Sequence, residues 1–254
     1  MAFSAADSDN VAAVICAAGS SKRMGGKKKE YLPLPETPLT VLGAAVSAFA
    51  SCPKIGPIVI TVPPGDEPTE AVFCLPPELR SVKPEQNRVI FVPGGRTRRS
   101  SVYNALSRLK SYQPSHVLIH DGARPWINQD LIKKIIEAAI KYGAVIPALP
   151  LLETPKELGP IVPGFTDKNF PDMRFIKRHL RREELCGAQT PQGFAFGEIM
   201  AAHEKARERE ERDNFEYTDD AEVWGEFIGQ VAVIPGDPAN RKITYPEDLA
   251  CGQK

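Results

Sequence analysis

Short apolar runs recur along the chain and alternate with segments of helical spacing. The runs are rich in Val and Ile and cover Val11–Cys16, Ile58–Val62, Val89–Val92, Val117–His120, Val145–Leu149 and Val231–Ile234. Near-continuous apolar strands of this kind are expected where helices cover both faces of a parallel sheet. The alternation therefore predicts an open, doubly wound α/β sheet.

The segments between these strands predict helices with recognisable ends. Three of them cover Val41–Ala50, Ser101–Tyr112 and Asp130–Tyr142. Ser100 is expected to cap the second helix, while Asn128 caps the third and Gly143 ends it. A fourth helix begins near Gly197 and continues through His203–Asp213, where charges of both signs indicate a solvated helix face.

The alternation breaks at about residues 151–184, a stretch rich in Pro, Gly and charge. This stretch holds one candidate strand around Met173–Lys177 and is too long for an ordinary loop. We interpret it as an arm that leaves the sheet and meets another subunit. The chain has 254 residues, of which 19 are Gly and 24 are Pro, a proportion typical of ordered proteins. We therefore expect a single domain over residues 1–254 that carries this arm.

The charge balance and the apolar runs exclude several classes of protein. Lys and Arg total 32, as do Asp and Glu, so the net field that non-specific nucleic-acid or membrane binding needs is absent. No apolar run approaches the ~20 residues that span a bilayer, and Met1–Asn10 lacks the basic residues of a secretory signal. The five cysteines are scattered and odd in number, which indicates reduced thiols. We expect a cytoplasmic protein that binds neither nucleic acid nor membranes.

The segment from Cys16 to Leu32 follows the first strand and combines small residues with cations. Gly19 and its small neighbours allow backbone N–H groups to approach a phosphate chain closely. The positive side chains are Lys22, Arg23, Lys27, Lys28 and Lys29. The spacing matches neither the Walker motif nor the dinucleotide motif. We interpret the segment as a polyphosphate-binding loop, and the alternative is a flexible basic loop without a ligand.

The stretch HDGARP places a carboxylate and a guanidinium at the end of another strand. Gly122 and Ala123 keep the turn small, so Asp121 and Arg124 are expected close together. A carboxylate in this place can hold Mg²⁺ or a sugar hydroxyl, and the guanidinium can hold a phosphate through two hydrogen bonds. A structural Asp–Arg pair that closes the turn is the alternative. We interpret His120 as a core or strand-end residue and not as a metal ligand.

Four further segments give weaker signals. Gly94–Val102 pairs two glycines with a helix start, which suits a nucleobase edge or an anion, although an ordinary βα turn would look the same. Thr190 precedes Pro191 and is expected to be extended. The other two are Tyr217–Ala221, which looks like a helix start, and Arg241–Leu249. The chain has neither the nucleophile elbow of the serine hydrolases nor a zinc-binding helix motif.

Taken in order, these segments resemble the 2-C-methyl-D-erythritol 4-phosphate cytidylyltransferases of the non-mevalonate isoprenoid pathway. The resemblance runs from about Val11 to Leu249 and rests on AAGSSKRMG, KKEYL, GGRTRRSSV, HDGARP, AQTPQGF, TDDA and KITYPEDL. It implies a Rossmann-like nucleotidyltransferase domain, a homodimer built by the protruding arm, and Mg²⁺-dependent transfer of the cytidylyl group of CTP to methylerythritol phosphate. The nearest alternative acceptor is another sugar-alcohol phosphate, such as ribitol 5-phosphate. A more distant alternative is a non-catalytic nucleotide-binding protein.

The resemblance also implies roles for individual residues. The catalytic cations that face the phosphates would be Arg23, Lys29 and Lys242. The residues around CTP would be Ala17, Ala18, Gly19, Gly94, Gly95, Ser101 and Asp121, of which Asp121 would also hold the metal. The residues around the acceptor would be Arg124, Thr154, Arg182, Thr190 and Thr218. Thr154 and Arg182 would reach the neighbouring subunit's site. The chain departs from the family pattern at Ser21, Glu30 and Arg181.

Overall fold

The computed structural model describes residues 10–19, 24–26, 28–65, 68–80, 88–162 and 173–250. Its strands are β1 (Val11–Cys16), β2 (Ile55–Val62), β3 (Val89–Pro93), β4 (His116–Asp121), β5 (Ala144–Pro150), β6 (Lys156–Ile161), β7 (Arg174–His179), β8 (Cys186–Ala188), β9 (Gln192–Ala195) and β10 (Ala232–Pro235). Its helices are α1 (Val41–Ala50), α2 (Thr69–Phe73), α3 (Arg98–Leu109), α4 (Gln129–Tyr142), α5 (Phe196–Asp213), α6 (Asp220–Phe227) and α7 (Glu247–Ala250). Of the helices described, none has both the length and the apolar character needed to cross a bilayer.

Eight strands form one sheet. Seven of them lie side by side in the order β10-β5-β9-β4-β1-β2-β3, and β8 adds to β5. The pairs that link β3, β2, β1 and β4 are parallel, as is the pair of β5 with β10. By contrast, β9 runs antiparallel between β4 and β5, and β8 runs antiparallel to β5. The predicted α/β fold with a mostly parallel sheet is confirmed. The two antiparallel strands were not predicted because they are short and each contains a glycine.

Strand β1 shows why helices cover both faces of the sheet. Successive side chains of a strand point to opposite faces. Val11, Ala13 and Ile15 pack in one core cluster with residues of α1 and α4. Ala12 and Val14 pack in a second cluster with residues of α3 and α5. All five side chains are fully buried, which explains why the strand is a continuous apolar run.

Helix α3 begins three residues earlier than predicted. Its N-cap is Thr97, whose side chain accepts a hydrogen bond from the amide of Ser100, while the Ser100 hydroxyl accepts one from the amide of Thr97. This reciprocal pair satisfies two backbone donors at the helix start, so the prediction of Ser100 as the cap was wrong. The earlier start makes Arg98 the first residue of the helix. For α4, the predicted cap Asn128 and the stop at Gly143, with φ of +77°, are confirmed.

Residues 151–184 contain a hairpin that is separate from the main sheet. Strands β6 and β7 pair antiparallel with each other in a two-stranded sheet. The predicted strand at Met173–Lys177 corresponds to β7. Strand β6 was not predicted because it contains Gly159 and Pro160, which are depleted in strands. Several large apolar side chains of this region are exposed, namely Leu152, Leu158, Ile161, Phe175 and Ile176. The contact of this hairpin with a second subunit stays a prediction.

Candidate active site

Three neighbouring parallel strands end at one edge of the sheet and open a cavity there. Cys16 at the end of β1 pairs in register with Thr61 of β2 on one side and with Asp121 of β4 on the other. Ligands of open α/β sheets bind beyond the carboxyl ends of the strands. All three residues line a cavity of about 690 Å³. Small-molecule sites typically measure ~300–1,000 Å³, so the cavity can hold a nucleotide.

Asp121 carries a negative charge at the floor of this cavity. Its Oδ2 lies 2.8 Å from Nζ of Lys242 and 3.6 Å from Nε of Arg124, and its Oδ1 lies 3.9 Å from Nη2 of Arg98. Burial alone would raise the pKa of the Asp121 carboxyl. The three cations outweigh burial and hold this pKa well below its usual range. Asp121 is therefore ionised at neutral pH.

A buried network of hydrogen bonds fixes the backbone at Asp121. Nε2 of His120 lies 3.1 Å from the carbonyl oxygen of Arg124, which can only accept, so Nε2 carries the proton. Burial lowers the pKa of His120 to about 4, so the ring is neutral and Nδ1 accepts from the hydroxyl of Thr190 at 3.1 Å. The oxygen of that hydroxyl accepts the Asp121 amide, also at 3.1 Å. As predicted, His120 lies in the core.

Asn240 ties the loop that carries Lys242 to the same network. Nη1 of Arg124 donates to the carbonyl oxygen of Asn240 at 2.8 Å, and Nδ2 of Asn240 donates to the carbonyl oxygen of Thr190 at 2.7 Å. The amide of Ile243 donates to the carbonyl oxygen of Ala123 at 2.9 Å, and the Ile243 side chain is fully buried. These bonds anchor the backbone on both sides of Lys242, so its ammonium reaches Asp121 from a fixed loop.

The glycine pair after β3 is required by packing. A Cβ on Gly94 would lie 2.4 Å from Cβ of Ala18, and a Cβ on Gly95 would lie 2.2 Å from Oγ of Ser100. The amide of Gly95 donates to Oγ of Ser101 at 2.9 Å. The loop therefore packs directly against the end of β1 and the start of α3, which places Gly95 and Ser101 on the cavity wall.

The structure brings together most of the residues that the sequence analysis assigned to the site. Those that line the cavity are Ala18, Gly19, Lys29, Gly95, Ser101, Asp121 and Lys242. Immediately behind the wall, in contact with these residues, lie Ala17, Gly94, Arg124 and Thr190. The assigned roles of all these residues stay predictions, and Arg23 falls outside the described residues.

Three other assigned residues neither line the cavity nor lie directly behind its wall. Thr154 is exposed in the arm. Arg182 is also exposed, and its Nη1 donates to the carbonyl oxygen of Leu152 at 2.8 Å. Thr218 is exposed ahead of α6, and both its amide and its hydroxyl donate to Oε2 of Glu222 at 2.8 Å. Their roles toward the acceptor stay predictions too.

Sequence reasoning missed Arg98, which also lines the cavity. Its Nη2 lies 2.8 Å from Oδ2 of Asp220, and Oδ1 of Asp220 lies 3.2 Å from Nε2 of His203. Burial would raise the pKa of Asp220, but Arg98 and His203 lower it overall. Arg98 lies in GGRTRRSSV and Asp220 lies in TDDA. These two stretches are far apart in the chain, so no local pattern could reveal that the two residues pair.

Comparison with known proteins identifies the family of the chain. The family model of IspD, 2-C-methyl-D-erythritol 4-phosphate cytidylyltransferase, matches residues 11–254. This chain belongs to the IspD family. The suspected resemblance is therefore confirmed, and it extends over nearly the whole chain.

Individual relatives of the IspD family match over different shares of their length. The chain is 36% identical over 247 residues to the 2-C-methyl-D-erythritol 4-phosphate cytidylyltransferase of Pelotomaculum thermopropionicum, covering 96% of this chain and 93% of that protein. It is 33% identical over 243 residues to the bifunctional enzyme IspD/IspF of Bartonella henselae, covering 94% of this chain and 55% of that protein. The chain thus spans about half the length of this bifunctional relative.

Solved structures of IspD enzymes have the same fold. The 4-diphosphocytidyl-2C-methyl-D-erythritol synthase of Anaerococcus prevotii superposes with a TM-score of 0.75 at 27% identity, covering 96% of this chain and 94% of that chain. The 2-C-methyl-D-erythritol 4-phosphate cytidylyltransferase of Thermus thermophilus superposes with a TM-score of 0.68 at 28% identity, covering 96% and 97%. The similarity therefore extends over nearly the whole length of each chain.

Proposed function

We propose that this chain transfers the cytidylyl group of CTP to 2-C-methyl-D-erythritol 4-phosphate, which gives 4-diphosphocytidyl-2-C-methyl-D-erythritol and pyrophosphate. Membership of the IspD family and the activities for which its relatives are named support this reaction. The observation that carries the proposal is the ionised carboxylate of Asp121, held among Lys242, Arg98 and Arg124 at the floor of a cavity of nucleotide size.

The reaction joins two anions, and this decides what the protein has to supply. An oxygen of the acceptor phosphate attacks the α-phosphorus of CTP, the bond from that phosphorus to the oxygen bridging to the β-phosphate breaks, and pyrophosphate leaves with the electron pair. The acceptor oxygen is already nucleophilic, so positioning and charge neutralisation matter more than a general base. Lys29 and Lys242 line the cavity and would neutralise the charge that gathers on the leaving group. The family resemblance implies the same role for Arg23.

We propose that the reaction depends on Mg²⁺ held at Asp121. Mg²⁺ in nucleotide sites is bound through one or two carboxylates together with substrate phosphates. Asp121 fits this requirement because it is ionised and because its two oxygens differ. Oδ2 faces Lys242 at 2.8 Å, whereas Nη2 of Arg98 stays 3.9 Å from Oδ1, beyond hydrogen-bond distance. Oδ1 would therefore hold the metal, which supplies neutralisation of the phosphate oxygens when bound.

We further propose that the enzyme is a cytoplasmic homodimer. The exposed apolar side chains of the hairpin, such as Phe175 at 69% and Leu158 at 53%, support a subunit contact there. Thr154 and Arg182 lie close to this hairpin in the chain and would reach the partner's cavity in such a dimer. Cys16, Cys52, Cys74 and Cys186 are free thiols, which suits a reducing compartment.

Pyrophosphate release tests the reaction. The purified chain is incubated with CTP, Mg²⁺ and 2-C-methyl-D-erythritol 4-phosphate, and parallel reactions contain ribitol 5-phosphate or no acceptor. We expect pyrophosphate only with methylerythritol phosphate, in equal amount to the CDP-linked alcohol. Release with ribitol 5-phosphate alone would reassign the acceptor, and CTP binding without any release would contradict the enzymatic assignment.

A further inference from the structure

Three ionisable side chains from three helices meet behind the cavity wall. His203 of α5 is fully buried, and the side chain of Asp220 at the start of α6 is 1% exposed. Arg98 at the start of α3 is 25% exposed, since its guanidinium reaches the cavity. Asp220 stands between the other two, 2.8 Å from Nη2 of Arg98 and 3.2 Å from Nε2 of His203. The proposed reaction gives no role to Asp220 or His203, and Arg98 appears in it only as a cation beside Asp121.

The position of Asp220 is fixed from two directions. Nε2 of His203 lies 3.2 Å from Oδ1 of Asp220, so the neighbour of this ring nitrogen is an oxygen that can only accept. This contact occupies Oδ1 and leaves Oδ2 for Arg98. The backbone is held as well, because Oε1 of Gln192 in β9 accepts the amides of Asp220 at 3.1 Å and of Ala221 at 3.0 Å. Gln192 itself is only 1% exposed. Asp220 is therefore a rigid anchor and not a mobile surface acid.

Arg98 lies between this anchor and a second carboxylate. Its Nη2 is 2.8 Å from Asp220 but 3.9 Å from Asp121, so the anchor holds the guanidinium away from the carboxylate in the cavity. An arginine fork readily forms two parallel hydrogen bonds with a carboxylate. Without Asp220, Arg98 would close on Asp121 and occupy Oδ1. With Asp220 in place, the remaining N–H groups of Arg98 stay available on the cavity wall.

We propose that Asp220 and His203 are positioning residues, which hold Arg98 at the cavity wall as a cation for the phosphates and keep it from forming hydrogen bonds with Asp121. This inference rests on the proposed function, because the proposed reaction is what identifies the ligand of the cavity as an anionic nucleotide. Arg98 is the group that faces the ligand. Asp220 acts through Arg98, and His203 acts through Asp220.

Chemical rescue tests whether Asp220 holds a guanidinium for the reaction. Arg98→Ala should lower kcat about 10²–10³-fold, the loss expected for one donor to a developing charge. Millimolar guanidinium, far below denaturing concentrations, should restore part of that kcat, because Asp220 still offers an anionic cavity. Sodium at the same ionic strength should not restore it. The double variant Arg98→Ala/Asp220→Asn should show no rescue by guanidinium, and equal rescue of both variants would overturn the proposal.

Direct substitution of the anchor gives a second readout. Asp220→Asn should lower kcat about 100-fold, the effect of displacing a reactive-site group by about 1 Å. Glu226→Gln is the matched control, because Glu226 of α6 pairs with Arg209 of α5 away from the cavity. It should leave both kcat and KM for CTP within about twofold of the wild type, because substitutions at distant sites without shared partners act nearly independently. Wild-type kinetics for Asp220→Asn would overturn the proposal.

His203 keeps the proposal testable if Asp220→Asn does not fold. His203→Gln retains an N–H donor toward Asp220, whereas His203→Leu has none. We expect His203→Leu to lower kcat about tenfold, as loss of an outer partner does elsewhere, and His203→Gln to stay close to the wild type, with rates normalised to the folded fraction. Equal rates for the two variants would refute the role of His203. Absence of pyrophosphate release by the wild type would instead refute the proposed function.

Discussion

Replacing Lys242 by Met separates the charge of this residue from its packing. Met has a similar length but no ammonium, and the bond from the amide of Ile243 to Ala123 keeps the loop in place. The ion pair to Asp121 is short at 2.8 Å, but the Lys242 side chain is 39% exposed. Arg98 and Arg124 also remain beside the carboxylate. We therefore expect a stability loss of about 1 kcal/mol or less, the range of exposed ion pairs.

The effect of Lys242→Met on turnover should be much larger than its effect on stability. Loss of one preorganised donor to a developing oxyanion costs about 10²–10³ in kcat, or about 2.7–4 kcal/mol. A stability loss of about 1 kcal/mol lowers Tm by only about 2–4 °C in a protein of this size. The two magnitudes predict a variant that is folded but nearly inactive.

Pyrophosphate release and thermal unfolding, measured on the same preparation, check this prediction. The control is Arg241→Met, since Arg241 is the adjacent cation but stacks on the ring of Trp126, 5.2 Å from its centroid. We expect the control to retain kcat. If Lys242→Met keeps kcat within about threefold of the wild type, well short of the loss of a donor, Lys242 does not face the reacting phosphates and the reasoning is wrong.

Three further predictions concern pH and assembly. The pKa of Asp121 in the folded protein lies below its usual value, so the ionised carboxylate contributes to stability above pH ~4, and this contribution is lost as pH falls further. In urea unfolding, Asp121→Asn should therefore reduce the loss of unfolding free energy at acid pH. The pKa of His120 is about 4 in the folded protein and 6.5 ordinarily, so as pH falls His120 takes up a proton in the unfolded chain before it does so in the folded protein. Stability should therefore fall as pH drops from 6.5 to 4. The free energy of unfolding should fall by about 3 kcal/mol over this range, and the fall should disappear in His120→Gln. The same pH dependence in His120→Gln as in the wild type would contradict a buried neutral ring. Phe175→Glu on the exposed hairpin should convert the proposed dimer to monomers in sedimentation, while a monomeric wild type would refute the proposed dimer.

The sequence predicts those parts of the fold in which one local signal is strong. The six predicted strands are all present, because an apolar run is needed wherever helices cover both faces of the sheet. The positions of Asp121 and Lys29 at the cavity follow from their places in the chain, since Asp121 ends a buried strand and Lys29 lies in the loop after the first strand. The start of α3 was misplaced because two hydroxyl residues three positions apart, Thr97 and Ser100, both suit an N-cap, and only the reciprocal pair decides between them.

The remaining parts of the site depend on contacts between distant segments. Asp220 looks like a second acid in an ordinary helix start, and His203 lies in a helix whose later turns are charged and solvated. Neither residue has a local reason to be buried. They become buried because α5 and α6 pack behind the sheet edge and Arg98 reaches them from α3. Periodicity along one segment contains no information about such pairs.

The least predictable strand of the sheet is the one that organises the site. Strand β9 is short and runs antiparallel between β4 and β5. Thr190, just before it, accepts the amide of Asp121, and Gln192, its first residue, accepts the amide of Asp220. This one segment thus fixes the backbone of both Asp121 and Asp220, whose carboxylates lie on either side of Arg98. A parallel strand in that place would send its carboxyl end, and not its amino end, to the cavity, so the reversal of direction is what brings these two polar side chains to the site.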